Sequence, residues 1–389
     1  MISSQINKLA GSTTAEFFSL AKKREAEGHD IIHLEIGQPD FQPMKPVLEE
    51  TIKAIQEGKT TYTVSPGLLE LRESISKAYE EDYGLKIDPQ NEIRITSGAK
   101  LGILASFYTI IDRNEQLMVC EPAWVSYPDM AKIAGAKYIS VPMKEDFSLD
   151  QDFIQSNLSA DKASTLLVNS PNNPSGHVMT SKEVQFLKEM IEDYNLAIIS
   201  DEIYNDYIYI ESPFNTLLTE LENWRENLIV VNGFAKTYSM TGYRLGWTIS
   251  SSDAGRGILK FIQASTSCPT NFCQWAGISA LQNRLQARKI IKDIFPERRQ
   301  IIFDEIANTS GLSVGSIDGA FYAFIKYSFT DKTSEEVAKD ILINANVCVI
   351  PGTAFGKSAE GFLRITFSRS IEEIKEAFNR IRAYIEKCT

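Results

Sequence analysis

The chain is poor in the residues that most often build metal centres and disulfide frameworks. It has only three histidines, His29, His33 and His177, and no two stand at metal-ligand spacing, so histidine-based metal catalysis is not expected. Its five cysteines (Cys120, Cys268, Cys273, Cys348 and Cys388) are odd in number, scattered and never spaced as CxxC. That argues against a zinc site and a disulfide scaffold and fits a reduced, cytoplasmic setting. Basic blocks are missing: 40 Lys and Arg stand against 51 Asp and Glu, a net charge of −11, and nucleic acid is not an expected partner. A local basic pocket for an anionic ligand can still sit inside such an acidic protein. The apolar run from Leu101 to Ile111 carries Gly102, Ser106, Tyr108 and Thr109 and is much shorter than the ~20 apolar residues a membrane span requires. It predicts a buried helix and no membrane association. The N-terminal MISSQINKLAGSTTAEFF lacks a basic region followed by an apolar run and a cleavage site, so no signal peptide is expected. Repeats and low-complexity segments are absent.

What is present is a chain of 389 residues, 43% hydrophobic and 23% charged, long enough for two joined domains around a shared core. Seven short runs alternate with helical periods: IRITSG (93–98), LMVCEP (117–122), YISVP (138–142), TLLVNSP (165–171), LAIISDE (196–202), LIVVNGF (228–234) and YRLGWTIS (243–250). Most are apolar throughout, as strands buried on both faces of a largely parallel sheet are. Lys182 to Tyr194 reads as one of the intervening amphipathic helices. The expected fold class is therefore α/β, a mostly parallel seven-stranded sheet flanked by helices. From about Leu281 long charged helices flank FYAFIKY, VCVIPG and FLRITFS, which predicts a smaller α+β domain. The first forty residues have no evident partner in the central sheet and are expected to pack with it. The division that results is 1–44 as an N-terminal part of the small domain, 45–284 as the large domain and 285–389 as the C-terminal small domain.

In open α/β sheets ligands bind beyond the carboxyl ends of the strands, and informative polar residues fall there. Asn173 follows TLLVNSPN, Asp201 closes LAIIS, Lys236 follows LIVVNGFA, and Ser97-Gly98-Ala99-Lys100 links a strand to the apolar helix. Such a glycine-containing turn leaves backbone N–H groups free for a phosphate, although it also serves as a plain connection. Gly352 to Ser358 resembles a nucleotide P-loop but has one residue too few between its glycines and is rejected. Asp201 reads as a helix cap, a paired surface acid or a site acid. Lys236, among small and hydroxyl residues with Arg244 eight positions on, is either solvated or a desolvated amine suited to Schiff-base chemistry. Strand alternation puts Arg364, Thr366 and Ser368 on one face, where Arg364 makes a surface ion pair or binds a carboxylate with its planar fork.

Together these residues resemble the class I aminotransferases, pyridoxal 5'-phosphate enzymes of fold type I. NGFAKTYSMTGYRLG is similar to the lysine signature of that family, and YTVSPGLLELR, ITSGAK, EPAWVSYP, NSPNNPSG, ISDEIY, GAFYAF, PGTAFG and LRITFS match its other blocks in order, from about Ile36 to Ser368. The resemblance implies that Lys236 carries the cofactor as a Schiff base and moves the proton, that Asp201 pairs with the pyridinium nitrogen, and that Tyr204 and Asn173 bond the phenolic oxygen. It implies that Trp124 stacks on the ring and that the phosphate is held at Ser97, Gly98, Ala99 and Lys100, by Arg244, and by Tyr62 of the opposite subunit in a homodimer. Arg364 binds the substrate α-carboxylate on this reading. Gly37 either lets the chain approach the substrate or serves only as a turn.

The sequence also departs from the family pattern. Gly233 and Ala235 replace hydroxyl residues near the phosphate, and Cys268 and Asn271 replace commoner polar residues bordering the partner's site. Gln263 stands roughly where one branch has an arginine for a second substrate carboxylate, and Lys100 matches the lysine that another branch uses. The expected activity is ping-pong exchange of an amino group between an amino acid and a 2-oxo acid, with aspartate and glutamate as first substrates. A carbon–sulfur β-lyase on the same scaffold is the alternative. A cofactor-binding transcription regulator is disfavoured by the charge of −11 and by a catalytic region expected to start too early in the chain to leave room for a DNA-binding domain.

Overall fold

The computed structural model describes residues 2–4, 6–159, 164–211, 214 and 216–388. Thirteen strands are formed among them: β1 (Ile32–His33), β2 (Ile93–Thr96), β3 (Gln116–Glu121), β4 (Lys137–Pro142), β5 (Ser164–Asn169), β6 (Ala197–Asp201), β7 (Leu228–Gly233), β8 (Gly246–Ile249), β9 (Leu312–Val314), β10 (Tyr322–Tyr327), β11 (Val347–Cys348), β12 (Ile350–Pro351) and β13 (Phe362–Thr366). The central sheet has seven strands in the order β2-β8-β7-β6-β5-β3-β4. Only β8 runs against the rest, pairing antiparallel with both β2 and β7. All seven runs read from the sequence are strands of this sheet.

Continuous apolar strands make sense once both faces are seen. Leu166, Val168, Ile198 and Val230 point into a core with the helices Leu69–Tyr83, Ser181–Tyr194 and Asn271–Gln282. Their neighbours Leu167, Ile199, Ile229 and Val231 point the other way, onto the helices Ala99–Ile110 and Ser252–Ser265. With period-two alternation and two buried faces, every position in the strand is apolar. The run read as a buried helix is the helix Ala99–Ile110, in which Gly102, Ile103, Ala105, Ser106 and Phe107 are buried.

A third core lies beside the sheet. It joins Phe17, Ala21 and Leu34 from the N-terminal stretch to β10, β13 and the helices Ser334–Asn344 and Ile371–Ile385, and it reaches Ile203, Tyr204 and Tyr207 just past β6. Strand β1 pairs parallel with β11, Ile32 opposite Val347, which gives the first forty residues their partner. The chain after β1 is thereby carried to the carboxyl edge of the central sheet. The P-loop-like stretch instead forms two short 3-10 turns, with the α-carbon of Gly352 packed against the carbonyl of Ala359. Among the described residues no helix is long and apolar enough to cross a membrane.

One glycine ties sheet to site. A Cβ on Gly246 in β8 would lie 2.6 Å from the amide nitrogen of Ala99 and 2.9 Å from the carbonyl oxygen of Asn232. Backbone cannot yield cheaply there, so Gly246→Ala is expected to destabilise the protein by about 1–3 kcal/mol through overpacking. Urea unfolding should show a lower midpoint at unchanged slope.

Candidate active site

Four strand ends converge on one cavity of about 390 Å³. Asn169 ends β5, Asp201 ends β6, Lys236 follows β7 by three residues, and Gly98, Ala99 and Lys100 follow β2. Gly37, Tyr322 and Arg364 complete the lining from the other core, together with Trp124, Asn173, Tyr204 and Arg244.

Asp201 is neither a helix cap nor a surface acid. It is 4% exposed at the floor, where its Oδ2 accepts a hydrogen bond from the Tyr127 hydroxyl at 2.7 Å and its Oδ1 one from the Ile203 N–H at 3.2 Å. Burial pushes its carboxyl up to about 6, against the Tyr127 bond and the positive charge of Lys236. The Asn169 side-chain amide donates to the Asp201 carbonyl at 3.0 Å, and its Oδ1 receives the Asn173 N–H at 2.8 Å, so one asparagine aligns the ends of two segments.

The Lys236 ammonium donates to the carbonyl of Gly37 at 2.5 Å and lies 5.5 Å from the centre of the Tyr204 ring. Burial, then the charges of Arg364 and Arg244, lower it to about 8 in spite of Asp201. A solvated lysine has none of these features. The Tyr204 hydroxyl pairs with that of Tyr322 at 2.8 Å. A Cβ at position 37 would come within 2.0 Å of the same Tyr322 oxygen, so Gly37 is demanded by close approach rather than by a turn alone.

Arg364 is 3% exposed and makes no surface ion pair. Its Nη1 donates to Asn173 Oδ1 at 3.4 Å, its Nη2 to the carbonyl of Glu35, and its guanidinium lies 4.6 Å from the centre of the Tyr322 ring. The buried Nε has no partner. A buried guanidinium left short of an acceptor invites a carboxylate.

At the opposite end the helix Ala99–Ile110 begins after Gly98 (φ +84°), with no side chain capping it. Its first N–H groups have no acceptor within the helix. A Cβ on Gly98 would lie 2.8 Å from Nη2 of Arg244, itself left-handed at φ +50°. Glycine thus lets a guanidinium and a helix start share one anion-binding corner. Lys100 donates to Ser126 Oγ at 3.0 Å and lies 5.2 Å over the Trp124 ring. Partial desolvation and Arg244 lower its pKa.

Other residues singled out from the sequence lie elsewhere. Ser97 is half-buried beside the cavity without lining it, and Gln263 is exposed on the helix Ser252–Ser265. Tyr62 is 88% exposed and lines, with Cys268 and Asn271, a separate concavity of about 600 Å³. Of the two replaced hydroxyl positions, Ala235 faces the cavity and Gly233 does not. Sequence reasoning did not single out Tyr127, Tyr322, Asn169, Ser12, Thr14 or Ser126. Tyr127 and Tyr322 stand inside EPAWVSYP and GAFYAF, blocks whose other residues drew attention. Ser12 and Thr14 reach the cavity because the N–H groups of Ala10 and Gly11 donate to Asp129 at 3.1 and 3.2 Å, a contact no local pattern signals.

Burying Asp201 has a consequence for stability. Its raised folded pKa means the folded state holds the proton more tightly between about pH 3.8 and pH 6, so stability falls as pH rises through that window. Asp201→Asn should therefore stabilise the cofactor-free protein by about 1–3 kcal/mol at pH 8 and leave it unchanged near pH 3.5, while abolishing turnover. Urea titrations of both proteins at the two pH values check the sign.

With this geometry in view, the comparisons with known proteins are specific. The family described as "Aminotransferase class I and II" matches residues 29–381. The chain is 35% identical to an aspartate aminotransferase of Pyrococcus horikoshii, covering 99% of this chain and 97% of that protein. It is 34% identical, over the full length of both, to a (5-formylfuran-3-yl)methyl phosphate transaminase of Methanocaldococcus jannaschii. Among solved structures, an alanine aminotransferase from Pyrococcus furiosus superposes with a TM-score of 0.93 at 28% identity, over the whole of both chains. A family match across nine-tenths of the sequence, the fold and the cavity agree: this chain belongs to the class I and II aminotransferases and is a pyridoxal-phosphate-dependent transaminase of fold type I.

Proposed function

We propose that the cavity binds pyridoxal phosphate through Lys236 and exchanges an amino group between an L-amino acid and a 2-oxo acid in two half-reactions. The observation that carries this is one cavity lined by a half-buried amine lowered to about 8, a buried carboxylate and a buried guanidinium without an ion-pair partner. The donor set fits the cofactor: the free N–H groups at Ala99 and Lys100 with Arg244 suit its phosphate, the Lys236 amine its aldehyde, and Asp201 its ring nitrogen. When bound, the cofactor supplies an electron sink for the pair left on the substrate Cα.

The remaining roles belong to this chain. Asp201 holds a proton at the ring nitrogen, kept in place by Tyr127. The free Lys236 amine would carry the proton between the substrate Cα and the cofactor's C4′ carbon. Tyr204 and Asn173 would bond the phenolic oxygen, Trp124 would pack against the cofactor and exclude water, and Arg364 would take the α-carboxylate beside Gly37. Residues 1–44 and 285–389 act as one small domain against 45–284, a reading supported by the core that the two terminal segments share. Tyr62 serves the phosphate of a second subunit in a homodimer, which its exposure supports. The setting is cytoplasmic, in keeping with five free cysteines.

For the substrate side chain, Lys100 is, among the described residues, the one ammonium at the cavity rim near Trp124 and favours aspartate and glutamate. The named relatives act on an acidic amino acid, a furan phosphate and alanine, so the choice rests on this residue. Lys100→Ala should lower kcat/KM for aspartate tenfold to a hundredfold, about 1.5–3 kcal/mol, and change alanine or phenylalanine far less. An equal loss on both substrate classes would remove the preference for dicarboxylates. Lys236→Ala should keep the fold and lose turnover, with no borohydride-reducible adduct.

A further inference from the structure

Behind Arg364, away from the cavity, lies a chain of ionisable groups that the transamination chemistry does not use. Glu35 is fully buried, with its Oε1 2.7 Å from Nδ1 of His33 and its Oε2 without a partner. The other ring nitrogen of His33 is 3.0 Å from Glu25 Oε1. Arg364 donates to the backbone carbonyl of this same Glu35, and the Glu35 carboxylate is one of the charges acting on Arg364. Two orphaned buried atoms, Glu35 Oε2 and Arg364 Nε, thus belong to neighbours of opposite charge. Among the described residues no other fully buried carboxylate acts on that guanidinium.

We propose that Glu35 and His33 are positioning residues for Arg364, a buried charge pair that sets how tightly the guanidinium holds a substrate carboxylate. The inference rests on the reading of Arg364 as the α-carboxylate site. Its physics is competition: an ionised Glu35 offsets part of the field that an incoming carboxylate meets, and a proton on His33 offsets Glu35 in turn. Carboxylate binding and His33 protonation are then linked, each favouring the other. The bond to Glu35 already holds His33 above its ordinary range, with burial opposing it and Glu25 adding to it. The other groups facing His33 are Lys22, paired with Glu25 at 2.7 Å, and Arg369, which donates to the His33 carbonyl at 2.8 Å. The Cys348 thiol lies beside Glu35 on the neighbouring strand, and its pKa is raised by burial, so it stays neutral.

The test uses the holoenzyme and propionate, a carboxylate without an amino group, with Kd measured by calorimetry between about pH 6 and pH 9. Ratios to wild type cancel titrations common to all variants. Glu35→Gln keeps the shape and removes the charge. It should bind propionate about three- to tenfold more tightly than wild type near pH 9. His33→Gln should do the reverse, binding about three- to tenfold more weakly near pH 6 and converging near pH 9. The two variants separate this from a merely structural role, which would weaken both at every pH. If one variant fails to fold, isotope-labelled histidine gives a second measurement, since saturating propionate should raise the pH at which the His33 ring titrates. A Glu35→Gln ratio that stays at one, or a His33→Gln ratio that does not change with pH, while Arg364→Gln abolishes propionate binding, overturns the proposal and leaves Arg364 in its role. Wild-type binding by Arg364→Gln overturns both.

Discussion

Lys236 is half-buried with two arginines near it and one carboxylate to balance them, and the surrounding structure answers that electrostatic constraint. Removing an ammonium from water is costly unless it is paired or can give up its proton. Here Arg364 and Arg244 push towards the free amine while Asp201 and the carbonyl of Gly37 hold the charged form. The result is an amine poised near neutral pH, and a carboxylate whose own burial leaves it ready for a cationic partner.

That balance requires groups from segments far apart in sequence. Asp201 and Lys236 come from the parallel strands, whose carboxyl ends face one way because right-handed crossovers return the chain to the same edge. Gly37 and Arg364 come from the other core, positioned by the parallel pairing of Ile32 with Val347 and by the antiparallel register that sets Arg364 opposite Phe324. Tyr322 stands at the join. It bonds Tyr204, lies under Arg364 and tolerates nothing larger than glycine at position 37.

Much of this was legible. The seven strands stood out because burial on both faces makes strands apolar throughout, and the residues at their ends stood out because a polar group after such a run has few other reasons to be there. Asp201, Lys236 and Asn173 were found that way, and Arg364 by the alternation within its own strand. The supporting tyrosines were not, since aromatic residues near buried strands are common and Tyr127 and Tyr322 differ from core residues only in what their hydroxyls meet.

The ordered blocks, with the lysine signature among them, carried the resemblance to the family and with it the cofactor, while the polar residues after the buried runs and the alternation within LRITFS marked candidates for the site, because each is read locally. Whether those residues were charged, buried or partnered was decided in three dimensions. Arg364 reads equally as a surface arginine until β13 is laid against β10. His33 at the end of β1 and Glu35 two residues on read as ordinary positions until the guanidinium arrives from residues more than three hundred positions later. Proximity between distant segments comes from packing and strand register, and both the energy of a buried charge and its pKa depend on that proximity.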